Sequence, residues 1–533
     1  MSFNTAPSNI DTGNPAQVVP KSWLEAFQTG TLTKFHRLLA NDTNAALETE
    51  HALDHVELER CLSLYLARLK APKASLANAK RIAHPSSRVV MTGQQAGLLL
   101  GPAYTISKAV NAILLARELD SETRPVIPVF WVASQDHDVA EVASTYFLGL
   151  DEELRKLELP LPQNQAIARI ALKQEWLEQT LAFIKEIPAT TEHQNWILKE
   201  VEAAFHASSN FADWFAGILL RLLGEHGLVV FDPMDINLAP LFKAQIKLEL
   251  AAPLTSSEAI EQAAQKLEQL GFSPQLRRAA GATNLFLEGE DGLRRLLKFD
   301  GKSFTADRNY SQPELEAILE LDPSRITPAA GLRPTLQDAV LPNAINVLGP
   351  GELAYHLELN GVYQLHGVPQ PLLHPRMTVT IIEPPVKRML AKYGLSAAEF
   401  QKNGIELLTQ KLFEQTSASQ NIQSELANIM QAFERMEHEL LAFEAGFAKN
   451  VWRTKSKVRF QVENRLTSKL AAAYVRANTD TKNQLIRLER HLMPDGEPQE
   501  RRISFLSHLI KFGPVLLDRI FKLNPRGTHW LEV

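Results

Sequence analysis

Cysteine is almost missing from this chain: Cys61 is the only one in 533 residues. A lone cysteine excludes an intrachain disulfide, a multi-cysteine zinc site and a Cys-x-x-Cys redox pair. Cys61 lies among Leu58, Leu62 and Leu66, where it reads as a buried helical residue rather than a nucleophile. An excess of positive charge is also missing. Lys and Arg number 56 against 61 Asp and Glu, a net charge of -5, so no global field draws nucleic acid or an anionic membrane. No apolar run is long enough to span a bilayer, and the polar first residues have no signal-peptide core, so the expected location is the cytoplasm. What remains is an ordinary globular composition, 45% hydrophobic and 22% charged, long enough for two or three packed units.

Within it, the stretch from Arg88 to Lys108 carries the most information. Val89 to Met91 favour a strand, Gly93, Gly97 and Gly101 free the backbone, and Pro102 suits the first turn of a helix. Free N–H groups at such a helix start face whatever anion sits above the turn. The stretch matches neither G-x-G-x-x-G nor G-x-x-x-x-G-K-[ST], so the glycines serve either a ligand or only close helix–strand packing. A helix through Leu119 and a second, wholly apolar strand, Val126–Val132, complete a βαβ unit. Further buried strands are expected at Gly227–Asp232 and Asn346–Leu348. Between them, residues 251–307 read as an inserted α+β segment with a hairpin, Leu296–Phe299 and Ser303–Thr305, around Asp300-Gly301. The fold class is therefore α/β, a Rossmann-like parallel sheet core spanning residues 1–385 with N-terminal helices at its start.

Past Pro385 prolines almost vanish. Ile422, Leu426, Ile429, Phe433, Met436, Leu440, Phe443 and Phe447 recur at alternating spacings of four and three, the a/d seam of a coiled coil. Val458, Val462, Leu466, Leu470 and Tyr474 form a second stripe that folds back antiparallel, and Leu485, Leu488 and Leu492 continue it. Residues 386–492 thus read as a helical coiled-coil domain whose seam wants a partner, hence a homodimer. Residues 493–533 read as a C-terminal segment packing back on the core. Arg453-Thr-Lys-Ser-Lys457 reads as a solvated helical face.

Candidate chemistry gathers at strand ends, where open α/β sheets bind ligands. After the first strand, Thr92, Gly93, Gln94, Gln95 and Gly97, with Tyr104, Thr105 and Lys108 on the helix, offer donors to a phosphate or carboxylate. As bland alternatives, Lys108 is a solvated lysine and Thr105 a helix cap. After the second strand, Asp136, His137 and Asp138 suit deprotonation of an amine or binding of a cation. Asp138-Val-Ala-Glu141 also fits a capping box, which would give Asp138 a purely structural job. After the fourth, Gly349, Gly351, Glu352 and Tyr355 form another strand-to-helix turn. Arg333 and Arg376 are clamps for substrate carboxylates or else structural ion pairs. No metal-ligand set is assigned, and the need for a metal is unknown from the residues.

Thr92-Gly-Gln-Gln-Ala-Gly97, Gly101-Pro-Ala-Tyr-Thr105, Pro128-Val-Phe-Trp-Val132 and Asp136-His-Asp138 together resemble the cysteine-adding enzyme family of bacillithiol biosynthesis, BshC. Asn284-Leu-Phe-Leu287, Gly349-Pro-Gly-Glu352 with Tyr355, and Pro494-Asp-Gly-Glu-Pro-Gln-Glu-Arg501 extend the resemblance over nearly the whole chain. It implies a Rossmann-like core, a dimerising coiled coil, and ligation of L-cysteine to the amine of glucosaminyl-malate, with ATP activating the cysteine carboxyl. On that implication the glycine turn and Lys108 bind an anion, while Asp136 with His137 binds or deprotonates the amine. The core resembles the nucleotidyltransferase superfamily, whose His-x-Gly-His motif does not follow the first strand here. Two other classes stay open at this point: another enzyme of the nucleotidyltransferase superfamily, or a non-catalytic, ligand-sensing coiled-coil scaffold. Polar residues clustered at three strand ends speak against the scaffold.

Overall fold

The computed structural model describes residues 22–39, 41–441 and 445–533, without the side chains of 407 and 440–449. Before the sheet, the apolar spacing of the first helices does what it promises. His55–Arg68 buries Leu58, Leu62 and Leu66, and Cys61 between them is 1% exposed, its thiol pushed up to about 11 by burial. The chain then enters a five-stranded sheet through β1 (Arg88–Gln94) and returns after helix α1 (Tyr104–Leu119) in β2 (Val126–Val132). Short helix α2 (Val139–Val142) leads into an antiparallel hairpin, β3 (Ser144–Leu148) and β4 (Leu154–Glu158). Next comes β5 (Val229–Phe231), which joins the first sheet.

The inserted segment opens with helix Thr255–Gln269 and forms its own antiparallel sheet from β6 (Ala282–Glu288), β7 (Arg294–Phe299), β8 (Phe304–Thr305), β9 (Asn309–Tyr310) and β10 (Ile326–Pro328), in the order β10-β6-β7-β8-β9. The expected hairpin is there, with Phe299 opposite Phe304. Its sheet runs past the expected end at Asp307, because β10 pairs with β6 and brings the chain back beside the core. The core sheet is completed by β11 (Asn343–Leu348), flanked by helices α3 (Arg333–Val340) and α4 (Pro350–His356), and by edge strand β12 (Leu372–Pro375). Its order is β12-β11-β1-β2-β5, every pair parallel. The continuous apolar strands follow from burial on both faces. Val129 to Val132 are all 1% exposed or less, and Trp131 stacks on Phe231 at 5.0 Å. Burying an aromatic of this kind contributes roughly 2–3 kcal/mol.

Strand β13 (Thr378–Ile382) lies outside the core sheet and pairs in parallel with the last strand, β14 (Thr528–Glu532). Between them the chain runs out and back. Helices α5 (Pro384–Lys392), α6 (Ala397–Glu414) and α7 (Ser417–Leu441) lead away, and α8 (Ala445–Phe460), α9 (Thr467–Ala477) and α10 (Thr479–Leu492) return. α7 packs on α8, where Lys455 donates to Glu434 at 2.8 Å; α6 packs on α9 and α10. The fold-back is therefore antiparallel, as the two stripes require, and Phe443 with the side chains of Leu440 and Phe447 lies outside the described residues. The segment after Leu492 returns to the core through α11 (Gln499–Arg502) and α12 (Phe505–Phe512). Among the described residues no helix is long and apolar enough to cross a membrane.

Candidate functional site

The carboxyl ends of β1, β2 and β11 open on one cavity of about 560 Å³, closed on the far side by Phe286, Arg294 and Pro328 of the second sheet and by Arg501 of α11. Gly93 stands in β1 opposite Trp131 because nothing larger fits: a Cβ there would lie 2.9 Å from the Trp131 carbonyl oxygen. The unusual backbone falls on Leu99 and Leu100, with φ of 49° and 67°, and on Gly101 at 60°.

The expected anion cradle is already filled by protein. The Gly97 amide donates to the Gln95 carbonyl, that of Gly101 to Leu98 and that of Ala103 to Ile503, at 2.8, 2.9 and 2.8 Å. Lys108 is no solvated lysine. Its side chain is 3% exposed, and its Nζ donates to the Gly93 carbonyl (2.9 Å), Gln94 Oε1 (2.9 Å) and Glu352 Oε2 (2.6 Å). All three of its protons are engaged, and burial lowers its pKa against the pull of Glu352. Glu352 Oε2 in turn accepts the Gly349 amide at 2.7 Å, closing the second helix start. The three amides and Lys108 Nζ are thus engaged within the protein rather than left free for an anion. Lys108 instead ties the end of β1 to the start of α4.

Asp136 and His137 do face the cavity. Asp136 Oδ2 accepts from Gln95 Nε2 at 3.0 Å, Oδ1 from the His137 amide at 2.8 Å, and the side chain remains 39% exposed. His137 Nδ1 lies 2.9 Å from Arg294 Nη1. Arginine has nothing to accept with, so Nδ1 is the acceptor and the ring proton sits on Nε2. Burial first, then Arg294, lowers the pKa of His137. The ring is thus a neutral hydrogen-bond donor at Nε2, with Nδ1 occupied by Arg294. Arg294 is held by Thr327 Oγ1 (2.9 Å) and the Pro328 carbonyl (3.1 Å), with its guanidinium 3.8 Å from the centre of the Phe286 ring.

Other expected site residues divide. Gln94, Gln95, Tyr104, Gly349, Gly351, Glu352, Tyr355 and Arg333 line the cavity. Thr92, Gly97, Thr105 and Asp138 do not. Thr92 Oγ1 donates to the Val347 carbonyl (2.9 Å), tying β1 to β11, and Thr105 is fully buried. Asp138 starts α2 but makes no side-chain cap, so the capping box does not form. Arg376 reaches the cavity edge with its charge committed: Nη1 and Nη2 donate to the two oxygens of Glu500 at 2.9 and 2.6 Å. Arg333 donates to Tyr355 Oη (2.7 Å) and Gln337 Oε1 (3.2 Å) and makes no ion pair with a carboxylate among the described residues. Burial pushes Tyr355 and Tyr104 up to about 12, so both stay protonated.

Polar lining residues that the sequence reading does not place at the site include Gln135, Glu141, Arg278, Arg294 and Arg501. Arg278 lies in a loop without regular structure, and its Nε and Nη2 are buried without partners. Glu141 is hidden by its fit to a capping motif. Behind the site, Ser134 Oγ donates to Asp232, whose carboxyl burial pushes up to about 7, and this bond pins the β2 end from below. Among the described residues no group of three or more His, Cys, Asp or Glu is placed to hold a metal ion.

A parallel α/β sheet with a polar crevice at its strand ends, an antiparallel second sheet over that crevice and a long antiparallel helical arm define the class of this protein. Residues 22–377 match the N-terminal Rossmann-like domain of bacillithiol biosynthesis BshC, and residues 379–530 match its C-terminal coiled-coil domain. A Thermus thermophilus protein named "Putative cysteine ligase BshC" is 39% identical over 463 residues, 87% of this chain and 91% of its own. Proteins of the same name from Salinibacter ruber and Heliobacterium modesticaldum are 32% and 31% identical, over 81% and 85% of this chain and 80% and 84% of theirs. The chain belongs to the BshC family.

Proposed function

We propose that this protein is a ligase that joins L-cysteine to the amine of glucosaminyl-malate, forming the amide of bacillithiol. One observation carries the reading. The cavity presents an accessible carboxylate, Asp136, and two guanidinium groups, Arg278 and Arg333, that have no carboxylate partner among the described residues. Such a site complements molecules bearing an ammonium group and carboxylates at once, as both proposed substrates do. Neutral His137 adds a donor from Nε2. ATP stays in the proposal as the source of energy for activating the cysteine carboxyl, with no step assigned to the glycine turn. The spent donors of that turn give no support to nucleotidyl transfer there.

Incubation of the purified protein with glucosaminyl-malate, cysteine and ATP should yield a product of the summed mass less one water, with AMP or ADP identifying the activation. Pyrophosphate released without cysteine, and no amide, would point instead to a nucleotidyltransferase.

The helical arm supports a homodimer as the working form. Fold-back buries Leu426, yet Ile429, Met436, Trp452 and Phe460 stay 42–59% exposed along α7 and α8. An apolar row of this length on one arm suits a second copy of the arm. Sedimentation at micromolar concentration should give twice the mass of 59.5 kDa; a monomer would remove the proposal.

A further inference from the structure

An amine that arrives as an ammonium ion must lose a proton before it attacks an acyl group, and most of the cavity's titratable groups are unable to take one. His137 accepts at Nδ1 and carries its proton on Nε2. Lys108 has every proton engaged, and Tyr104 and Tyr355 hold theirs. Glu352 is bound to Lys108 and the Gly349 amide, and Glu500 to Arg376. Asp136 already accepts a donor at each oxygen and lies 3.9 Å from Arg294 Nη1, so its remaining lone pairs serve to hold the amine rather than to take its proton. One lining carboxylate is unspent. Glu141, on α2 at the cavity rim, makes no hydrogen bond or ion pair with any described residue.

We propose that Glu141 is the base that takes the proton from the substrate amine, while Asp136 holds that amine in place. The inference rests on the amide-forming reading given above. In the step, an N–H bond of the bound ammonium breaks and an O–H bond forms on Glu141. The nitrogen keeps the electron pair and forms the C–N bond to the carbonyl carbon of an activated acyl donor, of the acyl-phosphate or acyl-adenylate class. The phosphate leaving group departs with the electrons of its own C–O bond and takes up the second proton that the nitrogen sheds in becoming an amide, and the proton on Glu141 passes to solvent.

The electrostatics suit this role. Facing Glu141 are Asp136 and Asp138 from its own loop, Tyr104 and Lys108 from α1, and Glu352 from α4. Although Glu141 is exposed at the rim, desolvation on its cavity side, then Asp138 and Asp136, raise its pKa above the ordinary carboxylate value, against Lys108.

The test measures amide formation by the full-length protein and by its E141Q and E141D variants from pH 5.5 to 9. E141Q should lose about a hundred- to ten-thousandfold in kcat with little change in KM for the amine. The loss should be largest at acid pH and shrink as the free amine becomes abundant, and E141D should restore part of the rate. A residue that merely shapes the rim would leave the form of the pH profile unchanged. If E141Q keeps the wild-type kcat and acid limb, the proposal is overturned while the ligase reading stands. If the unaltered protein forms no amide at any pH, the ligase reading falls and the role of Glu141 falls with it.

Discussion

Arg376→Met should destabilise the protein by roughly 3–5 kcal/mol, the cost of leaving one member of a buried ion pair without its partner. The side chains of Arg376 and Glu500 are 4% and 7% exposed, and they meet through two N–H···O bonds at 2.9 and 2.6 Å. Methionine fills much of the volume but leaves Glu500 with only the Val379 amide, 3.1 Å away. The change should appear as a lower urea midpoint with an unaltered slope. Arg376→Met combined with Glu500→Leu should recover most of the loss, because an apolar pair of similar size avoids the stranded charge. A single variant as stable as the parent would mean that solvent reaches Glu500. The pair joins the segment after β12 to α11, and Arg501 next to it lines the cavity, so the same variant should also weaken substrate binding.

The second large effect is expected at the charge that holds the amine. Asp136→Asn preserves shape, keeps one acceptor oxygen for either Gln95 or the His137 amide, and removes the negative charge. A hydrogen bond to a charged group contributes about 1.5–3 kcal/mol, so KM for the amine should rise about ten- to hundredfold while kcat moves far less. That split separates Asp136 from Glu141, whose loss falls on kcat. If KM for cysteine rises and that for glucosaminyl-malate does not, the cavity wall at Asp136 receives the amino acid's ammonium group instead.

Much of the fold is legible in residue order because its signals are local. Continuous apolar strands, the βαβ spacing, the hairpin at Asp300-Gly301 and the heptad stripe each depend on neighbours a few positions apart. The edge strand at Leu372–Pro375 and the parallel pairing of Thr378–Ile382 with Thr528–Glu532 depend on partners far along the chain, and no local period announces them. The site divides in the same way. Position at a strand end brings Gln95, Asp136, His137 and Glu352 to the cavity. What each then does is decided by a distant partner: Arg294 sets the tautomer of His137, Glu500 occupies Arg376, and Ile503 fills the helix start meant for an anion. Arg278 escapes notice because its importance lies in having no partner, which sequence cannot display.

Residues 503–507 reach back to the first turn of the sheet. The Ser504 hydroxyl donates to the Leu99 carbonyl, 405 residues earlier, the Ser504 amide to the Tyr146 carbonyl, and the Leu148 amide to Ser507 Oγ. During synthesis at about 5–20 residues per second, Leu99 waits roughly 20–80 s for this strap to be made. The odd backbone of Leu99 and Leu100 therefore has no support until the chain is nearly finished. The crevice is assembled last, after the whole helical arm has been made and has had time to fold back on itself.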